Sequence, residues 1–212
     1  VDSDFSSLLG HLFFDGSVYF YNGKYTMEYT NSSKEAMAAF SHEMKKCFNL
    51  NTTRIYKRNG KNIDWYMVQI ESKKAYKHLL NISYSFSTSK DVGVPKIILN
   101  STNEIKSAFL RAFWDDEGCI SNDGALTGTT NSRQMAKDLI ILHERFGIRC
   151  GLEKVHREKW APSYKIVVRR SKDNWQKFIE NVNFRHGVIT KGHNIGKHKK
   201  DVLLEKFSKR YS

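Results

Sequence analysis

One pattern occurs twice along this chain and restricts its fold more than any other feature. Leu8-Leu9-Gly10-His11-Leu12-Phe13-Phe14-Asp15-Gly16 is an apolar run that ends in an acid and a glycine. Leu110-Arg111-Ala112-Phe113-Trp114-Asp115-Asp116-Glu117-Gly118 repeats it. Asp15 and Glu117 stand 102 residues apart, as do Gly16 and Gly118. At that offset Gly10 lies over Ala112, Leu8 over Leu110 and Ser6 over Ala108. Further matches keep the same order: Thr30-Asn31-Ser32 returns as Thr130-Asn131-Ser132, and Ile70-Glu71-Ser72-Lys73 resembles Arg169-Arg170-Ser171-Lys172. Ordered self-similarity of this kind marks a duplicated unit.

Each copy reads as the same series of elements. In the first, Phe5, Leu8, Leu9, Leu12 and Phe13 fall at helical spacing. Asn22-Gly23 marks a hairpin between strands at 17–21 and 24–30, and a helix follows over 33–48. Strands at 54–58 and 63–70 flank Asn59-Gly60, and a short helix over 72–82 closes the copy. The second copy opens on the capping box Ser101-x-x-Glu104. It continues with two strands around Asp123-Gly124, a helix over 134–146, strands near 151–156 and 163–170, and a helix over 172–182. Ser32 with Glu35 and Asn131 with Gln134 read as two more capping boxes. The expected fold is α+β: two pseudo-symmetric αββαββα subdomains at 1–84 and 101–184, a linker at 85–100 and a basic segment at 185–212. Pro162 is expected in a hairpin loop.

Charge narrows the partner. Lys and Arg number 35 against 22 Asp and Glu, a formal charge of +13, which favours a polyanion and nucleic acid first of all. No apolar run approaches the ~20 residues of a membrane span, and Val1-Asp2-Ser3-Asp4 lacks the basic start of a secretory signal. Cys47, Cys119 and Cys150 are too scattered for a disulfide framework or a zinc site. The expected setting is therefore intracellular and reducing. The segment 185–212 holds eight Lys and Arg, among them Lys191, Lys199 and Lys206, against Asp201 and Glu205. It reads as a phosphate-contacting arm or, alternatively, as a solvated helix near 202–209.

The paired acids carry the chemistry. Small residues at Gly10 and Ala112, with Ser6 and Ala108 one turn earlier, let two helices approach closely, so that their terminal carboxylates meet. Carboxylates at helix C-termini are disfavoured by the helix dipole and by one another. A divalent cation offsets both penalties, and hard oxygen ligands suit Mg²⁺. Such shared acids serve metal-assisted cleavage of phosphodiesters.

These two runs, at this spacing and in this order of elements, resemble the motifs of the LAGLIDADG homing endonucleases. The likeness is to the single-chain, two-motif members, including archaeal intron-encoded ones. The resemblance implies a monomer in which two sheets form a saddle over double-stranded DNA. It implies a staggered cut of both strands that leaves 3′ overhangs and initiates intron homing. It makes Asp15 and Glu117 the metal-binding acids, with the backbone carbonyls of Phe14 and Asp116 as further ligands. Mg²⁺ is the implied cofactor, Mn²⁺ a substitute, and Ca²⁺ an ion that binds without efficient cleavage.

The resemblance also implies basic or amide residues around the scissile phosphates, best matched by Asn31, Asn131, Lys73, Arg170 and Lys172. Glu71 stands where a basic residue is expected opposite Arg170, so this pocket is expected to be one-sided. Base readout is expected from Tyr19, Tyr21, Lys24, Thr26, Glu28, Arg54, Tyr56, Arg58, Lys61 and Asp64 in the first copy. In the second it is expected from Asn122, Thr127, Thr129, Glu153, Lys154, Arg157, Lys159, Lys165 and Arg169, whose donors and acceptors match base edges. The alternatives are an RNA maturase acting on its own intron and a DNA-binding protein that does not cleave.

Overall fold

The computed structural model describes residues 1–52, 54–60, 63–83, 86, 92–157 and 160–211. The first motif becomes helix α1 (Ser3–Phe14), started by Asp2, whose side chain accepts the Phe5 N–H at 2.9 Å. The Gly16–Tyr21 strand (β1) turns back through Asn22 and Gly23, both at positive φ as a tight hairpin requires, into β2 (Lys24–Asn31). Helix α2 (Lys34–Phe48), strands β3 (Arg54–Arg58) and β4 (Trp65–Glu71), and helix α3 (Lys73–Ile82) complete the first unit.

After a short helix α4 (Lys96–Leu99), the second unit repeats this order. It comprises α5 (Asn103–Glu117), β5 (Gly118–Ile120), β6 (Leu126–Thr130), α6 (Arg133–Glu144), β7 (Cys150–Arg157), β8 (Trp160–Val168) and α7 (Lys172–Asn181). A final helix α8 spans Lys199–Tyr211. The sheets have matching antiparallel orders, β1-β2-β4-β3 and β5-β6-β8-β7. The α+β duplication expected from the sequence is the observed architecture.

Alternation within each sheet sets its two faces. In the first, Tyr29 pairs with Val68 and Met27 with Ile70; all four are buried against the helices. The opposite rows, Tyr19–Thr26–Glu71 and Ser17–Glu28–Gln69–Arg54, form the other face. The second sheet buries Leu126, Ile166 and Val168 and turns Thr127, Thr129 and Lys165 the other way. The motif helices pack directly on each other between the sheets. A Cβ at Gly10 would lie 2.5 Å from that of Ala112, far inside van der Waals contact, and Ser6 Oγ donates to the Ile105 carbonyl at 2.7 Å. The predicted Gly10–Ala112 apposition is therefore a point of close contact between the two units.

Three local expectations are corrected. Ser33 and Ser132, not Ser32 and Asn131, cap α2 and α6, accepting the N–H of Ala36 and of Met135, each at 3.1 Å. Pro162 lies inside β8 rather than in a loop. Pairing of β8 with β6 ends at Tyr164, so no ladder partner on that side needs a Pro162 N–H. The C-terminal segment packs on the second unit instead of forming a solvated helix. Val202 and Leu203 are buried, and Phe207 and Tyr211 pack on Trp175 with ring centroids 6.4 and 6.0 Å away. No helix among the described residues is long and apolar enough to cross a membrane.

Candidate active site and nucleic-acid interface

The ends of α1 and α5 converge on a cleft of about 340 Å³. It is lined by Asp15, Asp116, Glu117, Asn31, Trp65 and, from the C-terminal segment, Lys191 and Lys199 among others. Its charge is crowded. Burial and the neighbouring Asp116 carboxylate push Asp15 up to about 7, and burial followed by Asp15 and Asp116 pushes Glu117 up to about 8. Both acids thus hold protons far more tightly than free carboxylates. A divalent cation between the two acids would relieve that crowding. Among the described residues no three His, Cys, Asp or Glu side chains group into a full metal cage. Two carboxylates therefore offer a partial oxygen shell, which suits a hard cation that keeps water ligands.

Asp116 borders the cleft with its side chain engaged in the protein rather than open to solvent. Its side chain is fully buried and accepts from Tyr29 Oη at 2.6 Å, His11 Nδ1 at 2.9 Å and Asn31 Nδ2 at 3.1 Å. Burial opposes the charge on His11, but Asp116 outweighs it and lifts the imidazole to about 9. This His11–Asp116 ion pair joins the two units beneath the acids. Asn31 spans both functions: its amide also reaches Asp15 Oδ2 at 3.2 Å, and its Oδ1 accepts the Ser33 N–H at 2.9 Å. Asn131, its counterpart, is exposed.

The expected basic pocket is not assembled as the sequence suggested. Lys73 lies with its ammonium 5.6 Å from the Tyr25 ring centre, at the hairpin end of the first sheet. Because β4 runs antiparallel to β2, that end is six residues up the strand from Asn31, about 20 Å at ~3.3 Å per residue. Arg170 pairs with Asp123 at the turn of the second sheet, and Lys172 Nζ donates to the Tyr211 carbonyl at 3.1 Å. None of the three stands beside the acids. Of the cleft's two cations, Lys191 and Lys199, the buried one is Lys199, which the sequence places only in a basic tail. Its one sequence signal is spacing, since Lys199, Val202 and Leu203 fall on one buried stripe of α8.

The saddle face gathers most residues expected to read bases. Tyr19, Tyr21, Lys24, Thr26, Glu28, Arg54, Tyr56 and Arg58 share the face away from the helices. There Glu28 accepts from Tyr19 Oη at 3.2 Å and from Gln69 Nε2 at 2.8 Å, while Lys24 pairs with Glu71 at 2.9 Å. Gln69, Met67 and Trp65 belong to the same rows and were missed, because the apolar alternation of Tyr66, Val68 and Ile70 drew attention to the other face. Asp64 is not on this face; it pairs at 2.7 Å with Lys57, which shares a row with Asn31 and Tyr66 on the helix side.

In the second sheet Thr127, Thr129, Glu153 and Lys165 share the outer face, with Lys165 paired to Glu153 at 2.5 Å, and Arg169 continues the same alternation beyond β8. Lys154 does not join them: adjacent strand residues point to opposite sides, and its row is that of Tyr164 and Thr130. Asn122 sits in the β5–β6 turn, where its carbonyl accepts from Lys206 at 2.7 Å. Arg157 ends β7. Lys61 and Lys159 lie outside the described residues.

Comparison with known proteins places this geometry. The family described as LAGLIDADG-like domain matches residues 104–183, the second unit. The chain is 28% identical over 184 residues to the replication factor C small subunit of Methanocaldococcus jannaschii, covering 86% of this chain and 10% of that protein. It is 24% identical over 178 residues to the same organism's glutamine–fructose-6-phosphate aminotransferase, covering 81% and 16%. The chain thus spans about a tenth of the length of the curated relatives it matches. Among solved structures it is similar to I-DmoI in complex with DNA and Ca, with a TM-score of 0.64 at 16% identity over 96% of this chain and 97% of that one. It is also similar to full-length DUF199/WhiA from Thermatoga maritima, with a TM-score of 0.62 at 13% identity over 99% and 61%. With its second unit matched to the family and both units on one shared architecture, the chain has the two-motif, single-chain fold of the LAGLIDADG homing endonucleases.

Proposed function

We propose that this chain is a site-specific, metal-dependent DNA endonuclease that makes a staggered double-strand cut with 3′ overhangs in a long target and so initiates intron homing. The observation that carries the reading is the meeting of Asp15 and Glu117 in one cleft between two outward-facing sheets, in a chain of net charge +13. Asp15 and Glu117, with the carbonyls of Phe14 and Asp116, would hold Mg²⁺, with Mn²⁺ as a substitute. A bound cation supplies an activated water and charge stabilisation at the leaving oxygen.

The chain's own groups do the rest. Asn31 donates to Asp15 and orients it. Tyr29, His11 and Asp116 hold the two motif ends in register. The sheet faces carry hydrogen-bonding side chains suited to base edges, and their Lys and Arg suit phosphates. That I-DmoI has been solved with DNA and with Mn or Ca supports DNA and a divalent cation as partners of this fold. Recurrence of similar segments as small parts of proteins with unrelated names supports a module whose activity is separate from theirs.

The test is a selection on randomised duplex DNA in Mg²⁺, in Ca²⁺, and with Asp15→Asn. A long, sequence-specific, staggered cut in Mg²⁺ alone, absent from the variant, is the expected result. Enrichment of one sequence in every condition without any cut would replace the nuclease with a DNA-binding protein. Absence of any enriched duplex would make the chain's own intron RNA the next substrate.

A further inference from the structure

The C-terminal segment places one buried cation against the catalytic end of α5. Lys199 is 6% exposed, and its ammonium donates to the Asp115 carbonyl at 2.5 Å and to the Trp114 carbonyl at 3.2 Å. It also lies 5.8 Å from the Phe184 ring centre. These carbonyls belong to the electronegative C-terminal end of the helix, where a cation is stabilising. Asp15 on α1, Asp115 and Asp116 on α5, and Cys119 on β5 all face the ammonium closely enough to favour its charge, which burial alone would suppress.

The approach of this lysine is built, not incidental. The Asp115 carboxylate accepts the backbone N–H groups of Arg185, His186 and Gly187 at 2.8, 3.0 and 2.9 Å, which pins the start of the segment to α5. The chain then loops out and returns through a Val188–His198 bridge, and the Lys199 N–H donates to the Gly187 carbonyl at 2.9 Å. A Cβ at Gly187 would lie 2.7 Å from the Asp115 carbonyl oxygen and 2.9 Å from Lys199 Cδ, so the absence of a side chain there lets the segment lie close on the end of α5 beside the lysine. The Trp114 carbonyl that Lys199 reaches also accepts the Gly118 N–H, closing the helix around Glu117. The end of α1 is secured differently, by Asn31 on Asp15.

We infer that Lys199 is a positioning residue for cleavage: supplied by the C-terminal segment, it fastens the last turn of α5 and so holds Glu117 and the Asp116 carbonyl where the reaction needs them. The inference rests on the nuclease reading, and its test separates the two. Lys199→Met and Lys199→Arg would be compared with the native chain on the selected target. The readouts are single-turnover cleavage in Mg²⁺, DNA affinity in Ca²⁺, and hydrogen exchange at the amides of residues 115–118.

For Lys199→Met the cleavage rate constant is expected to fall roughly 10–100-fold, the usual effect of losing a group that orients a metal ligand. DNA affinity should stay within about twofold, amide exchange at 115–118 should rise, and Lys199→Arg should recover most of the rate. Native cleavage and native exchange in Lys199→Met would overturn the inference. So would parallel losses of cleavage and DNA affinity, which mark a general structural role. If the native chain does not cut, the nuclease reading fails, and exchange at 115–118 still decides whether Lys199 holds α5. If Lys199→Met does not fold, Gly187→Ala, whose methyl crowds the lysine's path together with the Asp115 backbone it binds, should slow cleavage in the same direction. A native rate there would refute the inference.

Discussion

Asp15 closes α1 with Phe14 behind it, and that ring packs on Phe109 and Phe113 with centroids 5.5 and 5.0 Å away. Glu117 closes α5 with two acids behind it, Asp115 holding the backbone of the C-terminal segment and Asp116 reaching across to Tyr29, His11 and Asn31. One end is supported by apolar packing and a single amide, the other by charge, a buried lysine and a bond to the opposite unit. A duplicated motif keeps what both copies need, close helix approach and a terminal carboxylate. It is free to vary in how each carboxylate is braced. Unequal bracing means unequal tolerance to change at the two ends.

The largest expected effect tests what the ends share. Asp15→Asn or Glu117→Gln should each abolish cleavage while DNA affinity in Ca²⁺ changes by no more than a few-fold. Neither should lower the melting temperature, because each removes one of three crowded carboxylates; a steep fall in stability would show the acids to be structural.

Next is the contact on which both units depend. Gly10→Ala gains roughly 1 kcal/mol of helix propensity. It also forces a methyl onto Ala112 at 2.5 Å, so a net loss of about 1–3 kcal/mol is expected by chemical denaturation. Adding Ala112→Gly should restore most of it, and failure of that rescue would locate the strain elsewhere.

The paired asparagines sharpen the contrast. Asn31→Ala removes an amide that serves Asp15, Tyr29, Asp116 and the Ser33 N–H, and should lower stability by about 1–3 kcal/mol. Asn131→Ala alters an exposed position and should stay within about 0.5 kcal/mol. Equal effects would mean that the two ends are braced alike.

The last expected effect is a dependence on pH, which vanishes above the ordinary histidine range. His143, on α6, accepts from Trp114 Nε1 at 2.8 Å and donates from Nδ1 to the Leu139 carbonyl at 2.6 Å. Burial pushes its pKa from 6.5 down to about 4. The unfolded chain therefore binds a proton near pH 6.5 that the folded chain refuses until about pH 4. Its contribution is complete above the upper value and falls with pH between the two, by at most ~1.4 kcal/mol per pH unit. Denaturation midpoints between those limits should lose this slope in His143→Gln; an unchanged slope would assign it to other groups.

Much of the molecule was legible in order and period. The helical spacing of the two motifs, the Asn22-Gly23 turn and the strand alternation are local rules, and local rules predicted both units, the closeness of Gly10 and Ala112 and the meeting of Asp15 with Glu117. Where they failed, the missing information was a neighbour. The strand direction that carries Lys73 and Arg170 away from the acids appears only when β4 is seen antiparallel to β2, and β8 to β6. Lys154 was assigned one face and took the other because register, not composition, decides faces.

The sequence by itself determined the duplication, the helix ends and the residues that bear the paired carboxylates, because each is written in residue type and spacing along the chain. Only the tertiary structure decided how those carboxylates are braced. Asp116 finds Tyr29 across the unit boundary, 87 residues away in sequence, and Lys199 reaches the Asp115 carbonyl over 84. Such pairings depend on packing that brings distant segments together, and no local pattern encodes them.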